Sequence, residues 1–465
     1  MKSNKIALTL ATGAALSMLS SCHIYKKFDM PTDTPDTREY AEVSKQTPDS
    51  LAFGNLQWQQ VFTDPLLQDF IARALVNNND LENARLNVEV ARANVLGARL
   101  SYLPSVALSA QGNLSKFHDV PMMNEWSKTY TIPLSISWEF DVFGKTLNRK
   151  RGAEAALRLQ QDYQQAVRSQ IIGAVATTYY SISCLESQLT LSRETAELWK
   201  QSVQTMKDFK EAGRTTEAAV VQSEGQLYSI LAQIAELEAS LDAANNTFAL
   251  LLNESPRKYA IPGNAHMSAP AIIRDGVPMR ELAQRPDVRA AEESLATAYY
   301  ATNSARANFY PSLSFTSNGG FTNSVGSFIM NPGKWFENLV GSLTAPLFSR
   351  GANIANLKGS KAQQQQALNN FRYKLLSAAA EVQDNIVNFD KQTEKATLLV
   401  KQVDALSKAV EYTNDLFAYN GGSTTYLEVL TAQSSLLSAQ MNYLSTELAR
   451  DRALISLYQS LGGGR

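Results

Sequence analysis

Hydrophobic side chains recur every three to four residues over two unusually long stretches. Residues 360–420 hold no glycine or proline, and Leu368, Phe371, Leu375, Ala378, Val382, Phe389, Ala396, Leu399, Val403, Leu406, Val410 and Phe417 keep one apolar stripe. A stripe held over so many heptads predicts a single helix, about 90 Å long at 1.5 Å per residue. Residues 146–212 repeat the pattern, with Val167, Ile171, Ala174, Ile182, Leu185 and Leu189 on the apolar side and only Gly152 and Gly173 inside. Such rods are several times longer than the average globular helix. Whatever the protein does must use them.

Elsewhere the period falls to two. Ile132, Leu134, Ile136, Trp138 and Phe140 alternate with Pro133, Ser135, Ser137, Glu139 and Asp141, which predicts a strand with one apolar and one polar face. Val106 and Leu108 mark a second strand before it. This alternation suits a transmembrane strand between lipid and a wet lumen, and equally a half-buried soluble hairpin. Lys145, Arg149, Lys150 and Arg151 follow. They either reach lipid headgroups beside Trp138 and Phe143 or simply solvate the start of the rod.

The whole pattern then occurs again. Ala98-Arg99-Leu100-Ser101-Tyr102-Leu103-Pro104-Ser105 returns as Ala305-Arg306-Ala307-Asn308-Phe309-Tyr310-Pro311-Ser312, and Gly213-Arg214-Thr215-Thr216 returns as Gly422-Ser423-Thr424-Thr425. A steady offset of this length signals internal duplication. Each half reads as helix, hairpin, rod, turn and returning helix. The first repeat is placed at 56–263, with strands at about 104–116 and 129–142, a rod at 146–212 and a return helix at 217–253. The second is placed at 279–465, with strands at 311–322 and 335–348, a rod at 352–420 and a return helix at 425–461. Residues 264–278 connect the two. The fold class is mainly α with a β part.

The N-terminus changes the picture. Lys2 and Lys5 precede an apolar run from Ile6 to Leu19 and then Ser20-Ser21-Cys22, the make-up of a secretory signal over residues 1–21. Its small-small-Cys ending predicts cleavage before Cys22 and an acyl (palmitate-type) lipid on that thiol; the alternative is an ordinary signal that ends near a cysteine. Residues 22–55, polar and carrying Pro31, Pro35 and Pro48, read as an extended tether. Asp64 before Pro65 is a helix start, N-cap and then proline at the first helical position.

Charge and cysteine usage exclude several classes. Losing Lys2 and Lys5 with the signal takes the net charge from −1 to −3, so no nucleic-acid partner is indicated. Three scattered histidines and two cysteines make no metal site. No Gly-x-Ser-x-Gly, phosphate loop or plausible catalytic histidine setting is found, so the chain does not read as an enzyme and no cofactor is expected. No stretch beyond the signal reaches the length and apolarity of a spanning helix. If the chain crosses a membrane it does so with strands, and four strands are too few to close a barrel. Several copies, two or three, would have to share one.

Several motifs resemble the TolC-like outer-membrane efflux proteins, particularly their lipoprotein branch. They are Trp58…Phe62-x-Asp64-Pro65-x-Leu67, then Arg285-Pro286-Asp287-Val288-Arg289-Ala290-Ala291-Glu292, the Ala-Arg-x₄-Pro repeats and the terminal Leu461-Gly462-Gly463-Gly464. The resemblance covers essentially the whole mature chain. It implies a homotrimer with a shared 12-stranded transmembrane β-barrel, continued by an α-helical barrel whose tip closes like an iris. It also implies an outer-membrane exit duct for a tripartite export system in a Gram-negative-type bacterium, lipid-anchored and extending into the periplasm. Its partners would be a periplasmic adaptor and an inner-membrane transporter, most often of the resistance–nodulation–division type. A periplasmic adaptor lipoprotein is the alternative, but adaptors flank a single hairpin with soluble β-domains.

Two sets of site residues follow. The turns Gly213, Arg214, Thr215, Thr216 and Gly422, Ser423, Thr424, Thr425 either dock an adaptor's helical hairpins or only reverse the chain, with Thr216 and Thr425 placed to cap the return helices. A gate is expected at Asp415, Tyr419, Glu428 and Thr431. Family members often carry an acid in a Leu-Asp-Ala-Gln-like run; here Val429-Leu430-Thr431-Ala432-Gln433 has Thr431 at that place. Glu428 lies three residues earlier on nearly the same face. Copies of Glu428 around an axis would make an acidic ring, or each would be an ordinary exposed glutamate.

Overall fold

The computed structural model describes residues 24–43, 53–115, 126–267, 279–324, 335–419 and 425–464. Short helices α1 (Pro35–Val43), α2 (Trp58–Val61) and α3 (Pro65–Asn77) lead into α4 (Asn79–Leu100). Strands β1 (Ser105–Leu108), β2 (Gln111–Ser115) and β3 (Ser127–Phe140) precede the first rod, α5 (Lys145–Glu211), and its return, α6 (Glu217–Leu251). The second half follows as α7 (Met279–Leu282), α8 (Pro286–Ala307), β4 (Ser312–Ser324), β5 (Trp335–Thr344), the rod α9 (Ala352–Tyr419) and its return α10 (Tyr426–Ser460).

Compactness divides the chain along a different line from the duplication. One unit takes the described residues up to Pro31 with Leu86–Gln161 and Ala290–Tyr373; the other takes Thr32–Arg85, Asp162–Arg289 and the chain from Lys374 onward. Each unit therefore draws on both halves.

The first unit holds the sheet, antiparallel in the order β1-β3-β4-β5, with β2 also on β3. The single strand expected at 104–116 is two. β1 and β2 keep one register on β3, Leu108 opposite Leu134 and Gln111 opposite Thr131, and the break falls opposite Pro133. Proline has no N–H for the ladder, and only Ser109 N–H to the Pro133 carbonyl remains, at 3.2 Å. On the other side Pro133 faces Gly320, where a Cβ would collide with the Ile132 carbonyl. β5 stops at Thr344 rather than 348, because Pro346 follows. Asp141 turns the chain into α5 by accepting the Thr146 and Leu147 amides at 3.0 and 2.7 Å.

The segment expected to be an extended tether is partly packed. Ile24, Met30 and Tyr40 are buried, Phe28 N–H donates to Tyr300 Oη at 3.1 Å, and residues 35–43 are helical. The segment's polar average hid these few apolar anchors.

The second unit explains the sequence motifs. Asp64 accepts the Leu66 amide at 2.9 Å to cap α3, and its other oxygen accepts from Tyr179 Oη at 2.5 Å. Phe70, Phe248 and Tyr259 pack edge to face at 4.9–5.7 Å. Arg285, 5% exposed, donates to the Ser460 carbonyl at 2.6 Å, to Glu381 at 2.6 Å and to both Asp287 oxygens. Burial works to raise the Asp287 pKa, but Arg285 and Lys374 hold it down to about 2. The terminal glycines close the body: Gly462 has φ +82°, a Cβ on Gly463 would strike the Tyr458 ring, and Ser169 Oγ donates to the Gly463 carbonyl at 2.6 Å.

Candidate docking tip and gate

All described tip residues belong to the second unit. α5 ends in a Schellman motif: Arg214 N–H donates to the Phe209 carbonyl at 2.8 Å and Gly213 N–H to Lys210 at 2.9 Å. Gly213 takes φ +69°, the left-handed conformation this cap needs, and a Cβ there would meet nothing within 4 Å. The Arg214 guanidinium lies 4.9 Å from the Phe209 ring centre. Thr215 lies in the turn. Thr216 precedes α6 but makes no side-chain capping bond, contrary to expectation; the chain turns through the glycine cap instead. Thr425 precedes α10, and its amide donates to the Glu428 carboxylate at 3.1 Å. Gly422, Ser423 and Thr424 lie outside the described residues, as does Cys22.

Aromatic rings, which the turn motif did not single out, join the two hairpins. Phe209 and Phe417 are 6.0 Å apart, and Phe417 lies 5.6 Å from Tyr426. Phe209 and Phe417 occupy equivalent repeat positions, so the duplication offset held the signal. Behind them Trp199, Ile230, Leu430 and Leu437 form a buried core with Ala196. Charge treats the hairpins unequally. Across α5 and α6, Lys210 pairs with Glu217, Lys207 with Glu224 at 2.8 Å and Arg193 with Glu238 at 2.6 Å. The pairs on the rod α9 near its return are internal, Lys391–Glu394 and Lys408–Asp404. Near the tip, no salt bridge joins α9 to α10 among the described residues.

The gate candidates do not form one bonded cluster. Asp415 is exposed near the end of α9, with no ion pair among the described residues, and Tyr419 is that helix's last residue. Thr431 donates to its own helix at the Leu427 carbonyl, 2.7 Å away, and lines a cleft with Trp199, Gln222 and Ser434. A separate groove of about 580 Å³ is lined by Trp199, Asn414, Phe417, Tyr426 and Gln433. Glu428 lines neither, because successive residues of α10 point to different sides.

The sequence profile described as outer membrane efflux protein matches residues 70–254 and again 277–463. The chain belongs to the outer membrane efflux protein family. The two matches coincide with the two copies of the duplication, so the repeat is the family's own unit. Among the relatives, this efflux protein is 31% identical over 425 residues to the probable outer membrane lipoprotein SilC of Salmonella typhimurium, covering 90% of each chain. It is 28% identical to the cation efflux system protein CusC of Escherichia coli K12, over 89% of this chain and 90% of CusC. It is 27% identical to the solvent efflux pump outer membrane protein SrpC of Pseudomonas putida, over 97% of each. A crystal structure of CusC superposes with a TM-score of 0.80 over 94% of this chain and 98% of the other, at 26% identity. The protein is thus an outer-membrane efflux channel, and the adaptor alternative is not supported.

Proposed function

We propose that the chain works as a homotrimer forming the exit duct of a tripartite efflux system. It docks through its tips to a periplasmic adaptor and is driven by an inner-membrane transporter of the resistance–nodulation–division type. It performs no chemistry of its own. The observation that carries this reading is the open sheet. Among the described residues, β1 and β2 at one side and β5 at the other each pair with a single neighbour, and in lipid each unpaired backbone group costs several kcal/mol. An outer-membrane protein with such edges closes them on other copies. Three copies of four strand lines make the 12-stranded barrel that the family resemblance implies. Exposed apolar side chains along the rods, such as Leu198, Tyr373, Leu376, Leu398 and Tyr412, are suited to the same association.

Cys22 carries the acyl chain in this reading, as a membrane anchor. The duct itself is unselective: a relative named for cations and one named for solvents share 28% and 27% identity with the chain, and choice of cargo rests with the transporter.

The mass of the protein extracted from isolated outer membranes in mild detergent tests the assembly. A species near three times the 51.1 kDa chain, less the signal peptide, is expected. A monomer would overturn the shared barrel, and a twofold mass would make it an eight-stranded dimer.

A further inference from the structure

The described chain begins where the sheet ends and the first rod starts. Ile24 is buried, and its carbonyl accepts Nδ2 of the fully buried Asn148 at 2.9 Å. Tyr25 Oη donates to the Val142 carbonyl, Arg151 donates to the Tyr25 carbonyl at 2.9 Å, and Tyr299 Oη donates to the Lys26 carbonyl at 3.3 Å. Gly144 has φ +67°, and a Cβ there would press on Ile24 and Tyr25 at 3.2–3.3 Å. The lead is therefore seated against this junction by backbone contacts as well as side chains.

Four cations belong to the segments that meet there. Lys26 and Lys27 on the lead, Arg149 in α5 and Arg350 just before α9 are all exposed, and none forms an ion pair among the described residues. Ser349 and Asn353, flanking Arg350, share a cavity of about 430 Å³ with Phe143 and Lys145, which places Arg350 at the same junction. Most nearby acids are engaged elsewhere: Asp141 caps α5, Glu139 faces Lys145 at 3.9 Å and Glu154 faces Arg99 and Lys150; Asp29, exposed on the lead two residues beyond Lys27, still leaves the four cations in excess. Beside Arg350, Leu347 and Phe348 are 95% and 86% exposed.

We propose that Lys26, Lys27, Arg149 and Arg350 form a basic collar that binds the phosphate headgroups of anionic phospholipid in the periplasm-facing leaflet. Leu347 and Phe348 enter the acyl region beside it. The proposal rests on the outer-membrane channel reading. A basic residue near an anionic membrane surface contributes about 1 kcal/mol of attraction, which is about fivefold in affinity. A single acyl chain binds a membrane marginally, whereas a chain with a basic patch anchors it. Free phosphate shares the headgroup's charge but has no tail for Leu347 and Phe348, so the apolar pair selects the lipid.

Native mass spectrometry of the full chain, extracted from isolated outer membranes, tests this with phosphatidylglycerol against phosphatidylethanolamine. The wild type is expected to retain the anionic lipid at least about fivefold better. The preference falls towards unity in K26Q/K27Q/R149Q/R350Q and survives in the charge-keeping K26R/K27R/R149K/R350K. Should the fourfold glutamine variant fail to assemble, K26Q/K27Q alone is expected to lower the preference. No preference in the wild type, an unchanged preference in glutamine variants that assemble, or displacement of the lipid by inorganic phosphate would each overturn the collar. Recovery of the wild type only with inner membranes would instead strike the channel reading beneath it.

Discussion

The Glu428 carboxylate accepts the Thr425 amide at 3.1 Å, so the acid nearest the expected gate is also a cap for its own helix. Glutamine keeps an acceptor at that position and removes only the charge. If copies of Glu428 ring the pore, Glu428→Gln should lower cation selectivity in planar-bilayer recordings while leaving the mass of the assembly unchanged. Unaltered selectivity would leave Glu428 with the capping role alone. His266 is a second titrating residue, 3.5 Å from Asp451 and 3.9 Å from Glu447, both buried. The hydrogen bond to Asp451 raises its pKa above the ordinary 6.5, against burial and the nearby Arg450. The folded state therefore holds this proton more tightly than the unfolded chain. The gain is fully present below about pH 6.5 and fades as pH rises through the folded value. Melting curves between about pH 6 and 8 should show the wild type losing stability relative to His266→Asn; parallel curves would remove His266 from the balance.

At the scale of elements, the α5–α6 hairpin ends in a glycine cap that is open on its outer side. Replacing Gly213 by valine costs about 1–2 kcal/mol in left-handed backbone, but its Cβ has nothing within 4 Å to strike. Gly213→Val should therefore leave trimer yield nearly unchanged and reduce export in a complementation assay, because the added bulk stands where an adaptor would dock. Undiminished export would return the turn to chain reversal alone. The rods and returns were legible from the 3.6-residue period, because long helices repeat one signal many times. The broken strand was not: its own residues alternate well, and the cause, Pro133, lies on its partner. The duplication offset marks Phe209 and Phe417 as equivalent positions, but their contact at the tip needed the fold. Arg285-Pro286-Asp287 could be singled out as a motif, but its hold on the Ser460 carbonyl needed the fold.

On the scale of the whole molecule, duplication gives two similar halves, yet neither half corresponds to a compact unit. The Ser169 hydroxyl waits for the Gly463 carbonyl, Gln165 for the Gly464 carbonyl at 3.0 Å, and the Leu56 carbonyl for the Tyr458 hydroxyl at 2.8 Å. These partners are nearly 300 residues apart in the first two cases and about 400 in the third. Contacts so distant in sequence delay closure, because long loops must be ordered before they are rewarded. A chain threaded amino end first through the inner membrane would therefore reach the far side with its earliest residues made and their last partners still in the cytoplasm. The second unit cannot be completed co-translocationally, and the half-exported polypeptide must be kept from aggregating until its final glycines arrive.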